Sequence, residues 1–126
     1  MLHSDGAFRP FIQDIIQMKV NILDPIQYQC VGMDVYSLKQ AFGNELSFHG
    51  AIDTQYILPH GNREQIIHEV KRCISALAHG EGYILSPCHN VQPDVNPANL
   101  ILIYETALNY GEYPLKDTSI LPPIIT

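Results

Sequence analysis

Apolar residues at Phe8, Phe11, Ile12, Ile15 and Ile16 recur at the i, i+3, i+4, i+7, i+8 spacing of one helical stripe, with Asp14 and Lys19 off it. This predicts a helix over residues 7–19. The run VNILDPIQ is apolar and halts at Asp24-Pro25; Pro25 has no N–H to give a central strand, so a strand ends near Asp24. In MDVYSLKQAFG, Val35, Leu38 and Phe42 share a helical face and Gly43 stands as the C′ residue. LSFHGAID reads as a buried strand whose end is marked by Gly50 and Asp53. The longest helix begins at Asn62, with Gln65 as its capping-box partner, turns Ile66, Val70, Cys73, Ile74 and Leu77 inward, and stops at Gly80. GYILSPCHN is a short strand interrupted at Pro87. NPANLILIYETALNYG is a final helix with Asn96 as N-cap, Pro97 at N1 and Gly111 beyond its end. The tail YPLKDTSILPPIIT is too rich in proline to continue as a helix.

Strands and helices therefore alternate, and no Asn-Gly type hairpin signal joins neighbouring strands. Crossover helices and a parallel sheet follow, an α/β fold. The strands are short and apolar, as expected when both faces are covered. Ionisable and polar residues gather at the strand exits: His3 and Asp5, Asp24, His49 and Asp53, then Cys88, His89 and Asn90. In a parallel β/α barrel these exits share one face, where active sites are built. A closed barrel of eight units needs about 250 residues. The 126 residues here supply half of that, and the opening MLHSDG reads as the tip of a strand with no beginning. The expectation is a single partial domain over residues 1–126: the C-terminal half of a (β/α)8 TIM barrel, about four β/α units, its N-terminal half absent.

Composition narrows the function. At 46% hydrophobic and 16% charged the chain suits one globular domain. A net charge of −6, with seven Lys and Arg scattered singly, leaves no basic stripe for a phosphate backbone, so no nucleic acid partner is expected. Cys30, Cys73 and Cys88 are odd in number and match no CxxC spacing, which fits a reducing cytoplasm. No apolar run approaches the roughly 18 residues that span a bilayer, and the N-terminus has neither a basic nor an apolar leader region, so neither membrane insertion nor secretion is expected. No GxGxxG or GxxxxGK[ST] follows any strand, so neither a dinucleotide fingerprint nor a phosphate loop is present.

HSDGAFRPFIQDII, FHGAIDTQ and GYILSPCHNVQPDVNPANLILIYE resemble the C-terminal half of the uroporphyrinogen decarboxylase superfamily, which also contains corrinoid methyltransferases. The resemblance runs from residue 3 to about residue 115, and the closing block is its most specific part. It implies a (β/α)8 barrel with a deep cleft at the C-terminal face. In the decarboxylases a Gly-His-Gly segment near the last strand supplies a substrate-binding histidine, and the key arginines and aspartate come from the N-terminal half. His89 matches that histidine, with Cys88 and Asn90 in place of the glycines. In the methyltransferases a His-x-Cys pair and a later Cys bind zinc. His3 matches the histidine, Asp5 stands where the first Cys would be, and His89 aligns with the second.

Residues i and i+2 of a strand point the same way, so His3 and Asp5 can both face the barrel mouth and His89 can close a three-ligand site with one position open. Zinc, or another divalent metal such as iron, manganese or cobalt, suits that donor set. The plainer alternative has Asp5 bonding His3 or capping the helix near Phe8. His89 at a strand exit can shuttle a proton or bind an anion, or simply bond a backbone carbonyl. Asp53 can hold a pyrrole N–H or a ligand hydroxyl; equally it can bond its own turn. Asp5, Arg9, Asp24 and Asn90 form the candidate substrate-binding set, although Asp24 before Pro25 also serves as a strand terminator and Arg9 can pair with Asp5. Cys88 reads as a small buried hydrophobe rather than a nucleophile, and His60, His68 and His79 as solvated residues.

The resemblance implies decarboxylation of tetrapyrrole carboxylate side chains without a cofactor, with His89 and Asp53 as catalytic residues. The alternative is methyl transfer to or from a corrinoid, with zinc or another divalent metal on His3, Asp5 and His89. A third reading is an inactive half-barrel or association module, because four β/α units leave two sheet edges unpaired. A homodimer or a complementing N-terminal half is then the expected partner.

Overall fold

The computed structural model describes residues 1–116 and 119–122, so the part of the tail expectation that falls on 117–118 and 123–126 lies outside the described residues. Four strands, β1 (Leu2–His3), β2 (Ile22–Asp24), β3 (Ser47–Ile52) and β4 (Tyr83–Pro87), form one parallel sheet in the order β1-β2-β3-β4. Between and after them run α1 (Ile12–Gln17), α2 (Val35–Phe42), α3 (Ile57–His60), α4 (Arg63–Leu77) and α5 (Pro97–Tyr110). This is the architecture of part of a (β/α)8 barrel. Among the described residues no helix is long and apolar enough to cross a membrane.

Local chemistry sets the helix ends. The Asn62 side chain accepts from the Gln65 N–H at 2.9 Å and the Gln65 side chain accepts from the Asn62 N–H at 2.9 Å, so the expected capping box starts α4. Asn96 accepts from the Ala98 N–H and Pro97 opens α5. Asp34 accepts from the Ser37 N–H at 2.9 Å and starts α2. α1 ends in a Schellman arrangement: Lys19 takes a left-handed φ of 64°, and the N–H groups of Lys19 and Val20 reach back to the carbonyls of Ile16 and Ile15.

Three expectations change. The helix over 7–19 is instead a 3₁₀ turn, Arg9–Phe11, followed by α1. A 3₁₀ turn advances 120° per residue rather than 100°, so Phe11 leaves the apolar stripe and is 54% exposed, resting on Phe8 at 5.5 Å between ring centres. Gly43 does not take a left-handed φ; at −64° it continues the helical turn and donates to the Lys39 carbonyl.

The third change matters most for function. In the parallel register Leu2 pairs with Leu23, Leu23 with Phe48 and Phe48 with Tyr83, and Leu23 and Phe48 are fully buried under the helices with Ile12, Leu38, Ile66, Val70 and Leu77. Alternate residues point to the opposite face. There His3 is exposed, His49 is half-buried and Ile84 is 46% exposed. The chain's own helices therefore cover one face of the sheet, and the expectation of two covered faces gives way to one bare face carrying polar groups.

Candidate active site

The register brings His3 level with Asp24 across β1 and β2. On β2 and β3, Ile22 pairs with Ser47 and Leu23 with Phe48, so the next residues along, Asp24 and His49, meet as well. Asp24 bridges the two rings: its Oδ2 lies 2.7 Å from His3 Nδ1 and its Oδ1 lies 2.6 Å from His49 Nδ1. An ionised carboxylate can only accept, so both Nδ1 atoms carry hydrogen and both Nε2 atoms are left for other partners. His3 Nε2 lies 3.4 Å from Asp5 Oδ2, which places the His3 ring between two carboxylates.

The electrostatics follow from these contacts. The hydrogen bond to Asp24 is the main cause that raises His3 above its usual imidazole value, against a smaller opposing effect of desolvation, and the charges of Asp24 and Asp5 add to it. Burial pushes the Asp24 carboxyl up, but the hydrogen bonds and charges of His3 and His49 outweigh it, and the net direction is down. The arrangement favours an ionised Asp24 and a protonated His3.

His89 faces this unit from the loop after β4. Its ring is 6.4 Å from that of His3, edge to face. Two adjoining cavities open here. One, of about 310 Å³, is lined by His3, Asp24, His49, Ser86 and His89 among others. The second, of about 430 Å³, is lined by Asp5, Gln27, Thr54, Gln55, His89 and Gln92 together with Cys88 and Asn90. Of the expected site residues, His3, Asp5, Asp24, His89 and Asn90 thus come together at the C-terminal ends of the strands.

Two do not. Asp53 is 5% exposed, and its carboxylate accepts from the N–H groups of Gln55 at 2.8 Å, Tyr56 at 3.2 Å and Ile57 at 3.1 Å. It lines neither cavity: the side chain expected to be catalytic builds the turn into α3. Arg9 forms no ion pair with Asp5. Its guanidinium donates to the Gly32 carbonyl at 3.1 Å and to Ser37 Oγ at 3.0 Å and lies over the Phe42 ring, tying the first turn to α2 away from the cleft.

The expected metal donors His3, Asp5 and His89 are not gathered as a metal site: His3 Nε2 lies 3.4 Å from Asp5, but His89 stands a ring-to-ring 6.4 Å from His3. Among the described residues no group of three or more His, Cys, Asp or Glu side chains is placed to hold a metal ion. Cys88 is 6% exposed, donates to the Ile26 carbonyl, and burial pushes its thiol up to about 12, so it stays protonated.

The sequence reading left His49 out of the site, as it did the four residues Gln27, Thr54, Gln55 and Gln92. It also missed a buried ion pair beneath the loops that carry them. On α4, Glu69 and Arg72 are 0% and 1% exposed; Arg72 Nε donates to Glu69 Oε2 at 3.3 Å, and its guanidinium lies 3.9 Å over the Tyr28 ring. Glu69 Oε1 accepts from the Asp53 N–H at 3.4 Å, so one helix pair braces both the β2 and the β3 loops. Gly50 has a structural task at the same place: at φ +94°, a Cβ there would stand 3.0 Å from Pro25 Cβ, where the chain leaving β2 crosses β3.

Comparison with known proteins identifies the family. Residues 1–110 match the family model described as Uroporphyrinogen decarboxylase (URO-D). A uroporphyrinogen decarboxylase of Vesicomyosocius okutanii is 29% identical over 80 residues, 64% of this chain and 23% of that protein. One from Serratia proteamaculans is 27% identical, and one from Pseudomonas syringae 30%, each over 66 residues covering 52% of this chain and 18% of the relative. The matched segment is thus less than a quarter of the length of these curated relatives. With most of its length matched by that model and its polar strand ends gathered at one rim, the chain belongs to the uroporphyrinogen decarboxylase (URO-D) family.

Proposed function

We propose that this chain corresponds to the C-terminal half of a decarboxylase barrel, acts on carboxylate side chains of a tetrapyrrole, and supplies the proton-transfer wall of its site without a cofactor. The observation that carries this reading is the His3–Asp24–His49 unit facing His89 in one cleft. Loss of carbon dioxide from a side chain leaves an electron pair on the carbon next to the ring. A protonated pyrrole can receive that pair, and the carbon then takes a proton, so the net reaction consumes one proton and releases carbon dioxide. His3, held protonated between Asp24 and Asp5, is the acid, and Asp24 stabilises the charged ring while keeping its orientation. His89, on the opposite side, contacts the carboxylate; Asp5 and Asn90 orient the substrate beside it.

The bare sheet face and the edge strands β1 and β4 belong to the same proposal: they pair with a second copy or with an N-terminal half. Size-exclusion chromatography reads this directly, and a stable monomer counts against it. The activity test is anaerobic incubation with uroporphyrinogen, using the chain alone and the chain mixed with the N-terminal segment of a curated relative. Chromatography should show products with fewer carboxyl groups, and His89→Ala should lower their rate at least about 100-fold. Absence of such products from both preparations overturns the proposal.

A further inference from the structure

β2 and β3 are the inner strands of the sheet, each flanked on both sides by strands of this chain. The contact between their side chains, His49 Nδ1 to Asp24 Oδ1 at 2.6 Å, therefore does not depend on what pairs with the outer edges. His49 stands in mid-strand, level with Ile84 of β4, and its carbonyl accepts from the Ile26 N–H at 3.2 Å, so its backbone is held on both sides. Asp24 is the softer link. The torsion that turns a carboxylate about its Cβ–Cγ bond is broad and roughly two-fold, so nothing intrinsic fixes the plane of the two oxygens. Here two hydrogen bonds fix it, His49 on Oδ1 and His3 on Oδ2. Burial opposes the charge on Asp24, and the bonds from the two rings outweigh it. Asp24 faces His3 and His49; His3 faces Asp24, Asp5 and the His89 ring, with its contact to Asp5 the longer of its two at 3.4 Å.

We propose that His49 is a positioning residue: by clamping Asp24 Oδ1 from β3 it holds Oδ2 against His3 Nδ1, and so sets the ring orientation and the tautomer with which His3 presents Nε2 to the cleft. The inference rests on the reading of His3 as the acid of the site and adds the group that aims it. His49 acts through Asp24 and exchanges no proton with substrate in this role. Without its donor the carboxylate turns more freely, the His3 ring loses its fixed partner oxygen, and the fraction of time it spends aligned falls. An asparagine at position 49 carries its NH2 near the place of Nδ1 and keeps the donor; a phenylalanine keeps the ring and removes it.

The test uses the full chain labelled with ¹⁵N-histidine at alkaline pH, where His3 is neutral, and reads its tautomer by long-range ¹H–¹⁵N correlation, with His3→Gln to assign the signal. The native chain should show His3 protonated on Nδ1, a reading that needs no substitution. His49→Phe should move His3 toward a mixture of the two tautomers, and His49→Asn should restore the native form; His49→Leu replaces the phenylalanine variant if that chain gives no folded amide spectrum. In the decarboxylation assay with the N-terminal segment of a curated relative, His49→Phe should lower kcat at least about tenfold with KM within about twofold, and His49→Asn should return to within about threefold of native. Native His3 protonated on Nε2, a tautomer unmoved by loss of the His49 donor, or an unaltered kcat in His49→Phe overturns the inference. Decarboxylation intact with the tautomer unmoved removes the positioning role alone. Tautomers that respond as expected in a chain that forms no product remove the reaction and leave the aiming of His3 standing.

Discussion

Asp24→Asn keeps the shape of the bridging side chain and removes its charge. In the native chain two Nδ1–H groups converge on two carboxylate oxygens at 2.7 and 2.6 Å. An asparagine offers one oxygen and one NH2, so one ring meets a donor with a donor and must change tautomer or turn away. The His49 side of the bridge is the sheltered side, with side-chain exposures of 25% and 12%, and a charge-assisted hydrogen bond there contributes about 2 kcal/mol. The His3 side is open to water and screened. The chain has no tryptophan, so urea unfolding is followed by far-ultraviolet circular dichroism, and the midpoint should fall by about 1 M. The pH dependence carries a sign. Asp24 is held below its ordinary 3.8, so its contribution is present above that value and is lost as pH falls through the folded-state value. His3 is held above 6.5, so its contribution is complete below 6.5 and is lost as pH rises through the folded-state value. The gap between native and Asp24→Asn chains should therefore be widest between those two ordinary values and close in acid. A gap that stays constant from acid to alkali, or no loss of stability at all, refutes the bridge.

Three further outcomes follow from the packing. Asp53→Ala leaves three backbone N–H groups at the α3 turn without their acceptor and should cost about 2–3 kcal/mol by thermal melting, with Asp53→Asn costing less; equal effects contradict the capping role. Arg72→Met strands the buried Glu69 carboxylate and should cost about 3 kcal/mol, while Glu69→Gln combined with Arg72→Met should cost less than the sum of the singles in a double-mutant cycle. Iodoacetamide at pH 8 should label the half-buried Cys30 and spare the buried Cys73 and Cys88, and mass spectrometry showing early modification of Cys88 would contradict its protonated, enclosed thiol.

The elements that could be read from the chain are those whose ends are chemical and local. Asn62 with Gln65, and Asn96 with Pro97, announce α4 and α5 because a cap is a short-range hydrogen bond. The site is harder to read because its side chains meet through register, which no local signal records. Leu2-His3, Leu23-Asp24 and Phe48-His49 each place a polar residue directly after a residue of the helix-covered face, yet only the pairing of the strands reveals that these three steps are level. That is why Asp24 enters the candidate substrate-binding set without its two partners, and why the sequence reading gives His49 no role. Glu69 and Arg72 were hidden for another reason: apolar periodicity assigns charged positions to solvent, and these two pair at i, i+3 inside the core, with Arg72 Nη2 left without a hydrogen-bond partner. Asp53 shows the converse, a carboxylate at a strand exit whose oxygens the turn uses up.

The one-sided helix coat has a consequence for how this protein can change. Side chains under the helices, such as Leu23 and Phe48, are locked into the core, so altering them alters the fold. Ile84 and Ser86, on or beside the bare wall, press on few neighbours, so new chemistry can be written there without repacking the core. Asp24 and His49 are the exceptions, tied to stability through the bond that joins them. Diversification of this scaffold should therefore run along the bare face of β4 and stall where β2 meets β3.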